Sequence, residues 1–193
     1  MSALRHPHSS LWVLDTRTLG RRPGSYQPVR LSVPVTTPIG IQVLAVPAGH
    51  DVELKLRLES VSEGVLVSGG ASAVAVGECS RCLIPLTTPV RAGIRELYVY
   101  PGSTTDETTA EDELPRVVDD LIDLEPLVTD ELTLTLPLAP LCHPDCPGLC
   151  SECGERLAEL EHPHAHEILD PRWAALAEKF SSAAAAQSEA ADT

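Results

Sequence analysis

The sequence predicts an α+β fold. Its main part is an antiparallel β barrel or sandwich, followed by one or two helices in the C-terminal half and a Cys-rich zinc-binding segment. Three observations carry that expectation. Short apolar runs with period-two alternation, punctuated by Gly and Pro, fill residues 29–99. Helical spacing of apolar residues begins only at Leu124. Four cysteines crowd into the twelve residues from Cys142 to Cys153, and a Cys-x-x-Cys pair stands earlier at Cys79 and Cys82.

Residues 1–27 read as an irregular N-terminal arm, with one short extended piece, Leu11-Trp12-Val13-Leu14, before the turn-prone Gly20 to Gly24. Val29, Leu31 and Val33 then alternate. Val52, Leu54, Leu56 and Leu58 alternate with Glu53, Lys55, Arg57 and Glu59, a strand with one wet face. Gly64 to Val67 and Ala73 to Val76 read as two more strands separated by Gly69-Gly70, and Val90 to Tyr100 as another after the Cys79–Cys82 turn. Short strands with this punctuation favour closure into a barrel or sandwich.

The polar, acidic stretch Gly102–Glu113 is expected to be a mobile loop. Leu124, Leu127, Val128 and Leu132 predict a helix, with Asp123 as a candidate N-cap and Pro126 tolerated in the first turn. Leu132, Leu134, Leu136 and Leu138 then alternate, so extended chain is expected to take over. Asp170-Pro171 opens a last helix with Trp173, Leu176, Ala177 and Phe180 on one face. Residues 28–180 are expected to form a single β-rich domain that includes the zinc-binding segment 138–156, and residues 181–193 a disordered tail. Trp12 and Trp173 are expected as core anchors.

Charge limits the partners. The chain has 193 residues with 14 Lys+Arg against 28 Asp+Glu, a net of −14, which argues against a general nucleic-acid coat or a basic membrane-surface module. The charge is uneven: residues 1–60 carry +3 and the remainder −17. An anionic partner is therefore expected to meet mainly the first third. Aromatic residues are 3% of the chain, so platforms for stacking unpaired bases are few. The N-terminus has no apolar h-region and no run reaches the roughly 18–20 apolar residues of a membrane span, so a cytoplasmic protein is expected.

In a reducing cytosol, six clustered cysteines point to metal rather than disulfides. A Cys-x-x-Cys turn aims both sulfurs into one space, and a following Gly, as at Gly154, lets the chain turn tightly after the second ligand. Four thiolates make a closed, structural zinc shell of net charge −2, which Arg81 or Arg156 can partly offset. The spacing leaves the partition open. Cys142, Cys146, Cys150 and Cys153 can close one local site, the arrangement favoured here. Alternatively Cys79 and Cys82 pair with Cys150 and Cys153. Two full sites need eight ligands, and then His143 or the group His162, His164 and His166 must contribute. A thiol-oxidoreductase reading wants a Cys-x-x-Cys at a strand-to-helix start, which neither pair offers.

Several segments together resemble the YceD family, the large ribosomal RNA subunit accumulation proteins of bacteria and plant plastids. They are Gly77-Glu-Cys79-Ser-Arg-Cys82-Leu, Asp123-Leu-Glu-Pro-Leu, and Leu138-Ala-Pro-Leu-Cys142-His-Pro-Asp-Cys146-Pro-Gly-Leu-Cys150-Ser-Glu-Cys153-Gly. The Leu14-Asp-Thr-Arg-Thr-Leu-Gly-Arg-Arg-Pro-Gly-Ser opening and Asp170-Pro-Arg-Trp-Ala-Ala-Leu are similar to its actinobacterial branch. The resemblance spans roughly residues 12–180. It implies a non-enzymatic role in 23S rRNA accumulation, with large-subunit rRNA, its precursor or a large-subunit ribosomal protein as partner; structural Zn2+ is the reading of the cysteines themselves.

Among the remaining residues, Arg17, Arg21 and Arg22 flank a Gly-Arg-Arg-Pro-Gly turn and are candidate phosphate contacts, with a solvated loop as the plainer alternative. Asp119, Asp120 and Asp123 are better explained by a turn and a helix cap than by Mg2+ chemistry. His162, His164 and His166 read as a polar loop holding reserve metal ligands. The acidic loop 102–113 is a solvated linker, or meets a basic ribosomal protein. No phosphate loop, nucleophile elbow or Ser/His/Asp pattern is present, so no enzyme, no small-molecule substrate and no membrane partner is expected. The alternative to RNA binding is a zinc-stabilised adaptor that grips a ribosomal protein or a ribonuclease without touching RNA.

Overall fold

Period-two patterning sets the architecture. The computed structural model describes residues 11–108, 114–160, 164, 166 and 171–173. In chain order the elements are β1 (Val13–Asp15), β2 (Tyr26–Pro34), β3 (Ile39–Ile41), β4 (Leu44–Val46), β5 (Asp51–Val61), β6 (Gly64–Glu78), β7 (Pro85–Val99), helix α1 (Thr104–Thr108), β8 (Leu121–Asp123) and helix α2 (Glu125–Thr135), with 3-10 turns at Leu157–Glu159 and Pro171–Trp173. The chain divides into two units, Met1–Cys146 and Pro147–Thr193. The boundary falls inside segment 138–156.

In the first unit, β6 is the spine of an antiparallel sheet. β7 pairs along its whole length, from Gly64↔Val99 to Glu78↔Pro85. On the other edge β5 takes the first part of β6 and β4 the last, with β2 outside β5 and β3 outside β4. The sheet is therefore open, and the expected barrel is not formed. The physical reason is α2, which packs against β7 and β3 and covers the apolar face that closure would otherwise have to bury. The α+β class and the antiparallel pairing stand. The small β1–β8 sheet adds Trp12 (4% exposed) and Ile122 to the same core.

Val52, Leu54, Leu56 and Leu58 of β5 are buried, as are Val65, Val67, Ala71, Ala73 and Ala75 of β6, so one face is core and the other meets solvent. Two strands were expected on either side of Gly69-Gly70, but β6 runs straight through them. Gly69 opposes Leu56 with φ +143, and a Cβ there would collide with the Lys55 carbonyl oxygen. The glycine therefore admits the close approach of β5 instead of ending the strand.

Helix α2 buries Val128 and Leu132, flanked by buried Leu124 and Leu136, a four-residue repeat that aligns one face. The helix runs on to Thr135, where extended chain was expected, and Leu134 points to solvent at 82% exposed. Alternation from Leu132 to Leu138 is a coincidence of leucine content: only the i, i+4 pair of Leu132 and Leu136 faces the core. The Asp123 carboxylate accepts the Glu125 N–H at 3.0 Å, while Leu124 occupies the cap position itself. Tyr98 donates its hydroxyl to the Asp123 carbonyl at 2.7 Å, tying β7 to the helix start.

Asp119 and Asp120, both left-handed (φ 53 and 61), form the turn between Val118 and Leu121, the geometry of a type I′ hairpin. Part of the expected mobile loop is ordered as α1. Its Asp106 carboxylate accepts the Gly102 N–H and pairs with Arg116, ties that composition does not reveal. Residues 109–113 lie outside the described residues, as do residues 1–10, 174–180 of the expected last helix, and 181–193. Trp173 is 59% exposed and is not a core anchor. Among the described residues, no helix is long and apolar enough to cross a membrane.

Candidate metal centres

Two clusters of metal-binding side chains form, one in each unit. In the first unit, the β6–β7 connection turns sharply at Cys79-Ser-Arg-Cys82. The Leu83 N–H donates to the Cys79 carbonyl (2.9 Å), and the Cys79 N–H to the Ile84 carbonyl (2.9 Å). Leu83 takes the left-handed conformation at φ 57, a position where L residues with a Cβ pay a steric penalty. In the second unit, Cys150-Ser-Glu-Cys153 repeats the turn bond for bond: Gly154 N–H to the Cys150 carbonyl (3.0 Å), Cys150 N–H to the Glu155 carbonyl (2.7 Å). Gly154 stands at φ 75 where Leu83 stands in the first. The spacing reveals both turns, whereas nothing in a Leu marks the first one's left-handed residue.

Cys142 and Cys146, from the segment after α2, complete the first cluster. The Ser80 N–H donates to the Pro140 carbonyl (2.8 Å) and the Arg81 guanidinium to the Cys146 carbonyl (3.0 Å), so the segment is clamped to the turn by its backbone. Cys79 and Cys146 sulfurs lie 3.8 Å apart, and those of Cys82 and Cys142 3.7 Å. A disulfide needs about 2.05 Å. Four sulfurs each about 2.3 Å from a central ion sit about 3.8 Å from one another, and the two separations match that edge, so the set could hold a metal ion. Arg81 stands beside this set, as its charge requires. Arg156 instead pairs with Glu159.

Burial raises the Cys79 thiol, but the N–H groups of Cys82, Arg81 and Cys142 aimed at its sulfur outweigh that and bring it from 9.0 to about 6. Desolvation among the clustered sulfurs, with hydrogen bonding to the Cys146, Cys82 and Cys79 sulfurs, pushes Cys142 up to about 12. Clustered thiols resist sharing negative charge, which is the situation a divalent cation resolves.

The second cluster joins Cys150 and Cys153 to His164 and His166. The Cys153 sulfur lies 3.1 Å from His164 Nε2 and 3.3 Å from His166 Nε2, and the two Nε2 atoms are 2.7 Å apart. An ideal tetrahedron with metal–nitrogen bonds near 2.0–2.1 Å separates two nitrogens by about 3.3 Å, so this set is drawn tighter than the first. The N–H groups of Cys153 and Glu152 hold the Cys150 thiol below its ordinary value. Four cysteines, and two cysteines with two histidines, are both donor sets of structural metal sites.

All six expected cysteines thus take part, but not in the favoured local set. Cys142 and Cys146 go with Cys79 and Cys82, and two histidines held in reserve make up the second set. His143 belongs to neither, and His162 lies outside the described residues. Sequence spacing cannot see that β6 and β7 carry the first pair of cysteines to the segment beyond α2.

The structure also locates the three candidate phosphate-binding arginines. Arg17 is bridged to Asp15 (2.7 Å), and Arg21 to Asp120 (3.0 Å) with its guanidinium 4.9 Å from the Tyr100 ring centre. Arg22 is exposed in the turn beside them. Asp120 accepts Arg21 and, through its carbonyl, the Thr16 hydroxyl (2.8 Å), a structural role.

A family model described as "Large ribosomal RNA subunit accumulation protein YceD" matches residues 67–178. An uncharacterized protein of Mycobacterium tuberculosis is 50% identical over 177 residues, 92% of this chain and 84% of that protein. One of Mycobacterium leprae is 44% identical over 164 residues (85% and 75%), and the uncharacterized protein YlbN of Bacillus subtilis 28% over 126 residues (65% and 72%). No solved structure matches the chain.

Proposed function

From the premise that the chain belongs to the YceD family, we propose that it supports the accumulation of 23S rRNA during assembly of the large ribosomal subunit. It does so by binding precursor rRNA, or a ribosomal protein beside it, and shielding that region until assembly proceeds. The observation that carries this reading is the family match over residues 67–178, which takes in all six cysteines and both histidines of the two clusters.

The donor sets favour zinc in a structural role. Bound zinc supplies cross-links with no open coordination position, so it offers no site for a substrate. The chain's own residues then do the positioning. Ser80 and Arg81 hold segment 140–146 to the β6–β7 turn, and Gly154 sets the turn that presents Cys150 and Cys153 to the histidines. Cys-x-x-Cys turns that open no helix lack the setting that makes a thiol oxidoreductase. The protein acts by binding and not by turnover.

Depletion in cells tests this reading. The ratio of 23S to 16S rRNA should fall and be restored by the wild-type chain but not by Cys142→Ser. An unchanged ratio after depletion overturns the assignment.

A further inference from the structure

We infer that the solvent face of the sheet is the surface that holds the RNA, through backbone phosphates running along β6. This rests on the RNA-binding reading above and assigns it a place. The pairing register builds the surface. Arg57 of β5 opposes Ser68 of β6, which opposes Arg95 of β7; Lys55 opposes Gly70, which opposes Gly93; Glu53 opposes Ser72, which opposes Arg91. On the outer side Arg30 of β2 opposes Lys55.

Because side chains alternate, all of these stand on the face away from the core. Between these cations β6 contributes Ser68, Gly70 and Ser72, a low floor, with Leu66 at one end of it and exposed Val74 and Val76 at the other. Cations rise on both sides of it: Arg30, Lys55 and Arg57 on one, Arg91 and Arg95 on the other. β5 and β7 lie two strand spacings apart, about 10 Å. The result is a shallow trough, open along the strands, with Lys55 and Arg57 facing Arg91 and Arg95 across it and Glu53 beside Lys55 on the β5 side.

Four of the five cations are free to serve. The five are drawn from only 14 Lys+Arg in a chain of net −14, gathered on one face. Arg30, Lys55, Arg91 and Arg95 are exposed and make no ion pair among the described residues, in contrast to Arg17 and Arg21. Arg57 pairs with Glu59 at 3.3 Å and lies 4.1 Å from the ring centre of exposed Tyr26 of β2. The acids on this face are Asp51, Glu53 and Glu59 of β5 and Glu78 at the far end of β6; Asp51 accepts the Ser32 hydroxyl.

Charge complementarity selects a polyanion, and the acidity elsewhere repels one, so contact is confined to this face. Four of the five cations are arginines, whose forked donors fit phosphate oxygens. An acidic polypeptide laid along β6 finds no main-chain partner there, since both edges of β6 are already paired.

The test uses the full chain and in vitro transcribed 23S rRNA across a salt series. Arg91→Ala/Arg95→Ala should flatten the slope of log K against log salt by about 1.4 to 1.8, the release expected for two phosphate contacts. At 0.1 M salt that is a loss of about 25- to 60-fold in affinity relative to wild type. Metal content and thermal midpoint should not move, because both side chains are exposed. Lys55→Glu, on the opposite bank, should weaken binding as well and serves if the double variant is unstable. If wild type binds RNA and these variants keep its affinity and slope, the face is wrongly assigned while the RNA reading stands. If wild type binds no RNA, both fall. Polyglutamate that competes as well as RNA at equal charge overturns RNA as the occupant.

Discussion

Cys142→Ser should cost the first unit about 4 kcal/mol. With a metal at the four-cysteine cluster, Cys82 and Cys142 close a loop of 60 residues that contains β7, β8 and α2. In the chain-entropy treatment of cross-links, a loop of that length removes about 14 cal/mol/K from the unfolded state, or about 4 kcal/mol at 25 °C. That is a large share of the roughly 5–15 kcal/mol that holds a domain together. At a urea dependence of about 2 kcal/mol per M, the midpoint should fall by about 2 M. Trp12 reports the transition, being buried in the first unit at 4% exposed, while Trp173 is already at 59%. Fluorescence-detected urea unfolding, with metal content measured on the same samples, is the assay. Cys153→Ser is the control: it should lose one metal equivalent, with its 11-residue closure to His164, and leave the Trp12 transition in place. A Cys142→Ser variant that retains both metal equivalents and the wild-type midpoint would refute the four-cysteine centre.

Three further outcomes follow from the same geometry. Gly154→Ala should cost about 1–2 kcal/mol locally and weaken metal binding at the second cluster only, since its cost is the φ of 75 and nothing lies near enough to clash; metal competition with a chelator reads it. Leu132→Ala should destabilise the first unit by about 2–5 kcal/mol and Leu134→Ala by less than about 0.5, a contrast in thermal or urea unfolding that fixes the phase of α2. In metal-free protein, Cys79 has a folded value near 6 against an ordinary 9.0, so its contribution to stability is complete above about 9 and is lost as pH falls through 6. Thiolate absorbance should show a step near pH 6 that Cys79→Ser removes.

How far the residues foretell the structure depends on whether the signal is local. The alternation of β5 is read correctly because one residue in two must be apolar on a half-buried strand, and every one of Val52 to Leu58 obeys. The Cys-x-x-Cys turns are equally local. What fails is long-range or depends on a competing partner. Gly69-Gly70 looks like a break until Leu56 of the neighbouring strand needs the room. The barrel does not close because α2 reaches the apolar face first, and no strand pattern contains that fact. The metal partition depends on β6 and β7 bringing Cys79 and Cys82 to a segment 60 residues later. Arg91 and Arg95 lie in the part of the chain that sums to −17, and only the pairing of β7 with β6 sets them opposite Lys55 and Arg57.

Ultraviolet crosslinking in living cells, followed by purification of the chain under denaturing conditions and sequencing of what remains attached, asks directly what the protein touches. Crosslinks to 23S rRNA or its precursor, reduced in Arg91→Ala/Arg95→Ala, are the predicted result. Recovery of protein adducts alone, with no enrichment of 23S sequence, contradicts it.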